Sequence, residues 1–365
     1  MIAGPIVHHK QILPQFERER RSIIDWDDLA IGLSIFMLGL FKKVVLADGI
    51  APFADSVFRA AETGAVLTFA ESWAAALSYT FQIYFDFSGY SDKAIGLSRM
   101  FGINLPLNFF SPYKANNIIE FWRRWHITLS QFLRDYLYIA LGGNRRGPSR
   151  RFVNLLITML LGGLWHGAGW TFVAWGLLHG FYLIINHLWH GARRALGQDL
   201  SKTTRWGVAL SRFTTFLAVV LSWVFFRAET FDGAMAVLRG MSGQNGITLP
   251  TVLRESLEPF TMFVQGLGVE VRFLSLFPSI SMPAIVVIGW IVGLFVLALW
   301  APNLREMFAR QMTQPVPTEE QIGGGYLTML LQWQRSALWM VSMIIISVMA
   351  LRAVSPKNAF LYFQF

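Results

Sequence analysis

Gly162-Gly163-Leu164-Trp165-His166-Gly167-Ala168-Gly169-Trp170 is the stretch on which the fold turns. It interrupts an apolar run that begins near Phe152 and lasts to Trp189, and His166 is the only ionisable side chain between Arg151 and His179. Glycines at 162, 163, 167 and 169 loosen the backbone around it. An ionisable group at membrane depth is costly and marks a functional site by default, more so where a broken helix lets backbone line a cavity. The plain alternative is a histidine bonded to a neighbouring carbonyl in a packed helix pair.

Working outward, basic clusters bound the run: Arg145-Arg146 to Arg150-Arg151 on one side, Arg193-Arg194 on the other. If both face the cytoplasm, residues Phe152 to Leu188 must cross out and back. Each arm then has about 18 residues, roughly 27 Å, so the arms barely span or are re-entrant. His166 lies roughly 22 Å in from Arg151 on that geometry.

The composition agrees with a membrane chain. Of 365 residues 54% are hydrophobic and the mean hydropathy is +0.45, concentrated in long runs, which excludes an ordinary soluble domain. The net charge of +9 sits in short loops between those runs, the positive-inside pattern, so nucleic acid is excluded as a partner. With no cysteine there is no disulfide, thiolate ligand or cysteine nucleophile. The first 28 residues are polar and basic and carry no cleavable signal. Further candidate spans are Leu29 to Leu46, with Lys42-Lys43 able to snorkel at one end, Trp73 to Phe87, Phe213 to Phe226, Pro283 to Trp300 and Ala337 to Ala350. Leu257 to Phe277 reads as a short intramembrane segment and Met312 to Gly325 as a polar loop. The expectation is an all-α polytopic membrane protein, a single membrane domain over residues 1–365.

Between the spans, Asp86, Asp92 and Lys93 read as buried, with an ion pair such as Asp92 with Lys93 or Arg99. Apolar residues recur at three- and four-residue steps from Ile118 to Tyr138, predicting one amphipathic helix, interfacial or re-entrant, that covers a cavity. Within it Glu120 precedes Arg124 by four residues, the favourable order for a pair.

Phosphate-loop, zinc-helix and serine-elbow motifs are missing. His187-x-x-His190 has metal-compatible spacing but lies beside Trp189 at a span end, where an aromatic belt explains it, so no metal is expected. His179 would face away from His166 on a continuous helix and reads as structural. His126 and His166 remain. A histidine with an ordinary pKa near 6.5 can take a proton from a hydroxyl and return it to a leaving group. Without an activated Cys or Ser, direct transfer fits better than a covalent acyl-enzyme. Spacing alone names no substrate.

The motifs, in order, carry a resemblance. Ala3-Gly4-Pro5-Ile6, Asp86-Phe87-Ser88-Gly89-Tyr90-Ser91-Asp92, Phe121-Trp122-Arg123-Arg124-Trp125-His126 and Arg134-Asp135-Tyr136 are followed by Gly163-Leu164-Trp165-His166-Gly167, Gly176-Leu177-Leu178-His179-Gly180 and Trp223-Val224-Phe225-Phe226-Arg227. This series resembles the membrane-bound O-acyltransferase (MBOAT) superfamily, in its bacterial branch of alginate O-acetyltransferases and D-alanyl transfer proteins. The C-terminal Phe360 to Phe365 looks like the alginate members.

The resemblance implies a ring of tilted and re-entrant helices around a central tunnel, in a multi-pass protein of the bacterial inner membrane. Family members carry further spans ahead of the Ala-Gly-Pro segment, so N-terminal spans are expected to be missing. His166 matches the family's essential histidine and His126 its second motif histidine. Trp165 and Trp170 are expected to wall the substrate space, with Trp122, Asp86 and Asn108 as further substrate-binding residues. The implied activity passes an acetyl group from a cytoplasmic thioester, acetyl-CoA as donor with no bound cofactor, to hydroxyls of an exported alginate-like polysaccharide. Transfer is direct or runs through a periplasmic acyltransferase partner, with membrane lipid as the surroundings. The alternative is a D-alanyl or peptidoglycan acyl relay. A transporter or channel component ranks last, because one strong break without a repeat is not the paired pattern of transporters.

Overall fold

The computed structural model describes residues 4–16, 25–200, 202–266, 268, 270–274, 276–277, 279, 282–312 and 326–355. Ala3, the charged Glu17 to Arg21 strip, the loop of Met312 to Gly325 apart from Met312, and Phe360 to Phe365 lie outside them. A short α1 (His9–Phe16) precedes the first long helix. That helix starts as α2 (Trp26–Phe41), capped by Asp25, whose carboxylate accepts from the Asp27 and Asp28 amides at 2.9 and 3.1 Å. It passes through a π turn at Lys42–Ala47 and continues as α3 (Asp48–Glu62), 37 residues in all, well beyond the span expected over Leu29 to Leu46.

The π turn re-aims two lysines. Lys42 Nζ lies 2.6 Å from Asp92, and Lys43 Nζ lies 2.6 Å from Asp48 and 3.0 Å from Asp86. They do not snorkel outward as expected: Lys43 is buried. Nor does Asp92 pair with Lys93 or Arg99, since Arg99 reaches Asp28 at 2.7 Å. A lysine turned into protein next to carboxylates replaces its lost hydration, which a lipid-facing end could not do.

Asp86 and Asp92 sit on α4 (Phe69–Met100), opened by a capping box between Thr68 and Glu71. Trp73 to Phe87 is therefore the first half of a longer helix that is buried in protein along much of its length. It runs antiparallel to α2, with Gly32 against Gly96 and Gly39 against Gly89. A Cβ on Gly39 would stand 2.6 Å from the Gly89 carbonyl, and one on Gly96 would stand 2.6 Å from that of Gly32. Close backbone approach is how helices associate where lipid removes the hydrophobic drive.

The segment expected as one amphipathic helix is broken. α5 (Ile118–Arg124) is capped by Asn117 and carries the expected Glu120–Arg124 pair at 2.6 Å. The chain then turns at Trp125 and His126 into α6 (Ile127–Phe132) and a second π turn, Leu133–Tyr138. Apolar spacing continues through the break, with Ile118 and Leu129 buried and Phe132 and Tyr136 exposed, so periodicity does not reveal it.

α7 (Gly147–His166) starts with Pro148 in its first turn, where a missing amide is harmless, and α8 (Trp170–Ala195) returns alongside it. Gly167-Ala168-Gly169 joins them, the hairpin the sequence predicts. The arms hold 20 and 26 residues, longer than the 18 expected.

α9 (Arg205–Arg227) and α10 (Phe231–Met241) pack on α8 and α4. Leu257 to Phe277 is not one intramembrane segment. Strand β1 (Ile247–Pro250) pairs in parallel with β2 (Val271–Leu274) around α11 (Arg254–Gly266), and β3 (Leu276–Phe277) pairs antiparallel with β4 (Met282–Pro283). α12 (Ala284–Trp300), α13 (Leu304–Met307), α14 (Tyr326–Leu330) and α15 (Ala337–Ala353) complete the order, α15 lying on α2.

One apolar core joins α3, α4, α8, α9, α10 and α12 through residues such as Phe58, Tyr79, Phe81, Trp175, Trp223, Val237 and Val287. The segment Trp26–Glu62, α8 and α9 are long and apolar enough to cross a membrane, and α12 and α15 are shorter apolar helices. Their outer faces show large apolar side chains such as Phe181, Ile185, Phe213, Val292 and Ile344 to the surroundings. This is the architecture of an all-α polytopic membrane protein, in which backbone polar groups are satisfied within helices and apolar faces turn outward.

Candidate active site

His126 sits at the break between α5 and α6 with φ +41°, a left-handed conformation uncommon outside glycine. The loop at Asn108–Phe110 satisfies the opened backbone: the Ile127 amide donates to the Asn108 carbonyl at 3.0 Å and the Phe110 amide to the Arg124 carbonyl at 2.9 Å. That loop also sets the imidazole. Asn108 Nδ2 donates to Ser91 Oγ at 3.1 Å, which leaves Oδ1 as acceptor for the Thr128 amide at 3.3 Å, Thr128 Oγ1 at 2.9 Å and His126 Nδ1 at 3.0 Å. His126 therefore carries its hydrogen on Nδ1 when neutral, and the lone pair belongs to Nε2. Nε2 is buried and has no hydrogen-bond partner among the described residues. The Ile6 amide closes the chain of bonds by donating to Thr128 Oγ1 at 2.9 Å, which ties the Gly4-Pro5-Ile6 segment to the site.

His166 is the last residue of α7. Its ring centroid lies 4.9 Å from Trp165, 5.0 Å from Phe226 and 5.2 Å from Trp175. Trp165 is the shared element, since its ring also stands 6.3 Å from His126. The edge of Phe87 meets His126 at 4.7 Å. Two imidazoles from separate helix breaks thus flank one indole, with His126 buried, His166 half-buried and Trp165 41% exposed.

Of the residues singled out in the sequence, His126, His166, Trp165 and Asn108 come together. Asn108 does so as the group that orients His126, its oxygen and nitrogen already engaged, rather than as a free contact for substrate. Trp122 is one ring removed, 5.9 Å from Trp175 and 5.1 Å from His179. Two residues stand apart. Trp170 is 80% exposed and walls nothing, because it opens α8 on the outer side of the hairpin. Asp86 is engaged by Lys43 at 3.0 Å.

His179 is buried and bonded to Ser222 Oγ at 2.9 Å, a structural role as expected. The expectation that it faces away from His166 assumed one continuous helix. Both histidines instead touch Trp175, at 5.2 and 4.9 Å, because they lie on different helices of the hairpin.

Beyond loosening the backbone, the glycines admit close neighbours. A Cβ on Gly163 would strike the Phe172 carbonyl, one on Gly167 would stand 2.5 Å from the Phe172 ring, and one on Gly162 would stand 3.1 Å from Leu133. They let α7 and α8 close on each other and bring Phe172 under His166. Sequence reasoning passed over Phe87, Trp175 and Phe226 as site residues; Phe87 and Phe226 belong to the matching motifs and Trp175 directly precedes one, and none carries a titratable group. No group of three or more His, Cys, Asp or Glu side chains is placed to hold a metal among the described residues.

Chemically, the arrangement offers an unprotonated ring nitrogen of fixed orientation and a second imidazole next to it, in a site walled by aromatic rings. That is equipment for moving a proton on and off a hydroxyl.

Comparison with known proteins gives the same reading. The model of the membrane-bound O-acyltransferase family matches residues 1–226. The chain is 50% identical over 258 residues to a peptidoglycan O-acetyltransferase of Helicobacter pylori, covering 71% of this chain and 47% of that protein. It is 38% identical over 367 residues to a "Probable alginate O-acetylase AlgI" of Pseudomonas putida, covering 100% of this chain and 66% of the relative. A teichoic acid D-alanyltransferase of Streptococcus thermophilus is 32% identical over 244 residues, 61% of this chain and 58% of that one. The chain spans about half the length of most of these curated relatives. The family match covers both helix breaks and both histidines: this chain belongs to the membrane-bound O-acyltransferase family.

Proposed function

We propose that this chain is a multi-pass O-acyltransferase of the bacterial inner membrane that passes an acetyl group from a cytoplasmic thioester, acetyl-CoA, to hydroxyls of an exported alginate-like polysaccharide. The transfer is direct or goes through a periplasmic acyltransferase partner. The observation that carries this reading is the pair of imidazoles on Trp165, with His126 Nε2 left open by the bond from Nδ1 to Asn108. The family and the alginate-named relatives supply the substrate class.

In the step this geometry supports, His166 takes the proton of the acceptor hydroxyl as its oxygen attacks the thioester carbonyl. The tetrahedral intermediate collapses, the carbon–sulfur bond breaks, and His166 returns the proton to the departing thiolate. His126 orients the acceptor by taking a hydrogen bond at Nε2 from a neighbouring hydroxyl of the same sugar. Mass spectrometry of the surface polysaccharide with and without the protein tests the reading: acetyl esters should vanish in its absence. Unchanged acetylation overturns it.

A second reading has the same chemistry with peptidoglycan as acceptor, favoured by the 50% identity to the Helicobacter pylori protein. Loss of acetyl groups from released muropeptides, with the exopolysaccharide unchanged, selects it.

A further inference from the structure

A cavity of roughly 560 Å³ lies apart from the histidine pair, between the broken helix α5–α6 with its π turn and the α7–α8 hairpin. Neither His126 nor His166 lines it. Along α7 its lining runs from Arg151 through Leu155 to Met159, each about one helical turn further on, and Leu183 lines it from α8. Arg123 and Arg134, the latter paired with Asp135 at 2.7 Å, line it from the broken helix. Two of its lining groups are buried donors without an acceptor, Arg151 Nε and Trp122 Nε1. Unpaired buried donors cost about 1–3 kcal/mol each, so the lining calls for a ligand that only accepts. Arg151 also sits where the basic loop meets the apolar run of α7, the depth at which headgroups lie.

We propose that this cavity binds one anionic membrane phospholipid, its phosphate among Arg123, Arg134 and Arg151 and an acyl chain along Leu155, Met159 and Leu183. A phosphate diester is negative, accepts hydrogen bonds and donates none, and continues into hydrocarbon, so each part of the lining has its counterpart. The lipid would brace the broken helix that carries His126 against the hairpin that carries His166. This binding does not depend on the chain being an acyltransferase.

The test is native mass spectrometry of the purified full chain after detergent exchange, with dioleoyl-phosphatidylglycerol or dioleoyl-phosphatidylcholine added. One phosphatidylglycerol per chain should be retained, and phosphatidylcholine should be lost. Arg151→Gln should weaken retention roughly tenfold, the scale of one charge-assisted hydrogen bond. Leu155→Trp, which crowds the apolar lining, should expel the lipid. Equal retention of the two lipids by the unaltered chain overturns the proposal, and that comparison stands even if a variant fails to fold. Displacement of phosphatidylglycerol by acetyl-CoA overturns it too, because the cavity would then be a thioester-donor site.

Discussion

His166 and His126 reach the same indole by different routes, and their substitutions should differ accordingly. General-base catalysis is worth roughly 10²–10⁴ in rate, so His166→Ala should nearly abolish acyl transfer while the protein still accumulates in the membrane. His166→Gln should do no better, since an amide bonds but takes no proton. Activity retained by Gln, with both activity and abundance lost in Ala, would make His166 a packing residue. His126→Ala should reduce transfer without ending it, because its role is orientation. Asn108→Ala should act through His126: it strips three buried donors of their acceptor. Misplacement of a catalytic group costs about 10²-fold, so turnover at saturating donor should fall on that scale. Asn108→Asp keeps the accepting oxygen and should recover part of the rate. Equal loss in both variants would show that Asn108 only supports the fold.

At the scale of elements, the site depends on helices that approach closely and helices that break. The α2–α4 crossing at Gly39 and Gly89 leaves no room for a side chain and sets the register in which Lys42 meets Asp92. Gly89→Val should force the pair apart and lower thermal stability in detergent, overpacking being worth about 1–3 kcal/mol. Gly293→Ala, on α12 with nothing within 4 Å of an added Cβ, is the matched control and should leave the melting temperature near its starting value. Similar shifts in the two would mean the crossing is not tight. The break at His126 shows a limit of pattern reading. Ile118, Trp122, Trp125 and Leu129 keep helical spacing across it, yet the backbone turns because Asn108–Phe110 offers hydrogen bonds that replace the helix's own.

For the whole molecule, the hairpin makes a topological claim. Ser149 and Ala195 are both exposed, at the free ends of α7 and α8, and the chain has no cysteine to confuse labelling. Single cysteines at these positions should react from the cytoplasmic side alone. Reaction of either with an impermeant reagent added outside would refute the hairpin orientation. Much of this was legible in the amino-acid order. Apolar runs bounded by basic clusters specify membrane helices, and Gly167-Ala168-Gly169 specifies a hairpin with a histidine at its turn. Both are local matters of length, hydropathy and backbone freedom. Tertiary structure alone decided which charges meet, that α5 and α6 are separate, that Trp170 stands outside, and that Asn108 holds His126. Each depends on which faces of distant segments are brought together. The Lys42–Asp92 pair spans 50 residues and the Ile6–Thr128 bond 122, separations across which periodicity carries no register.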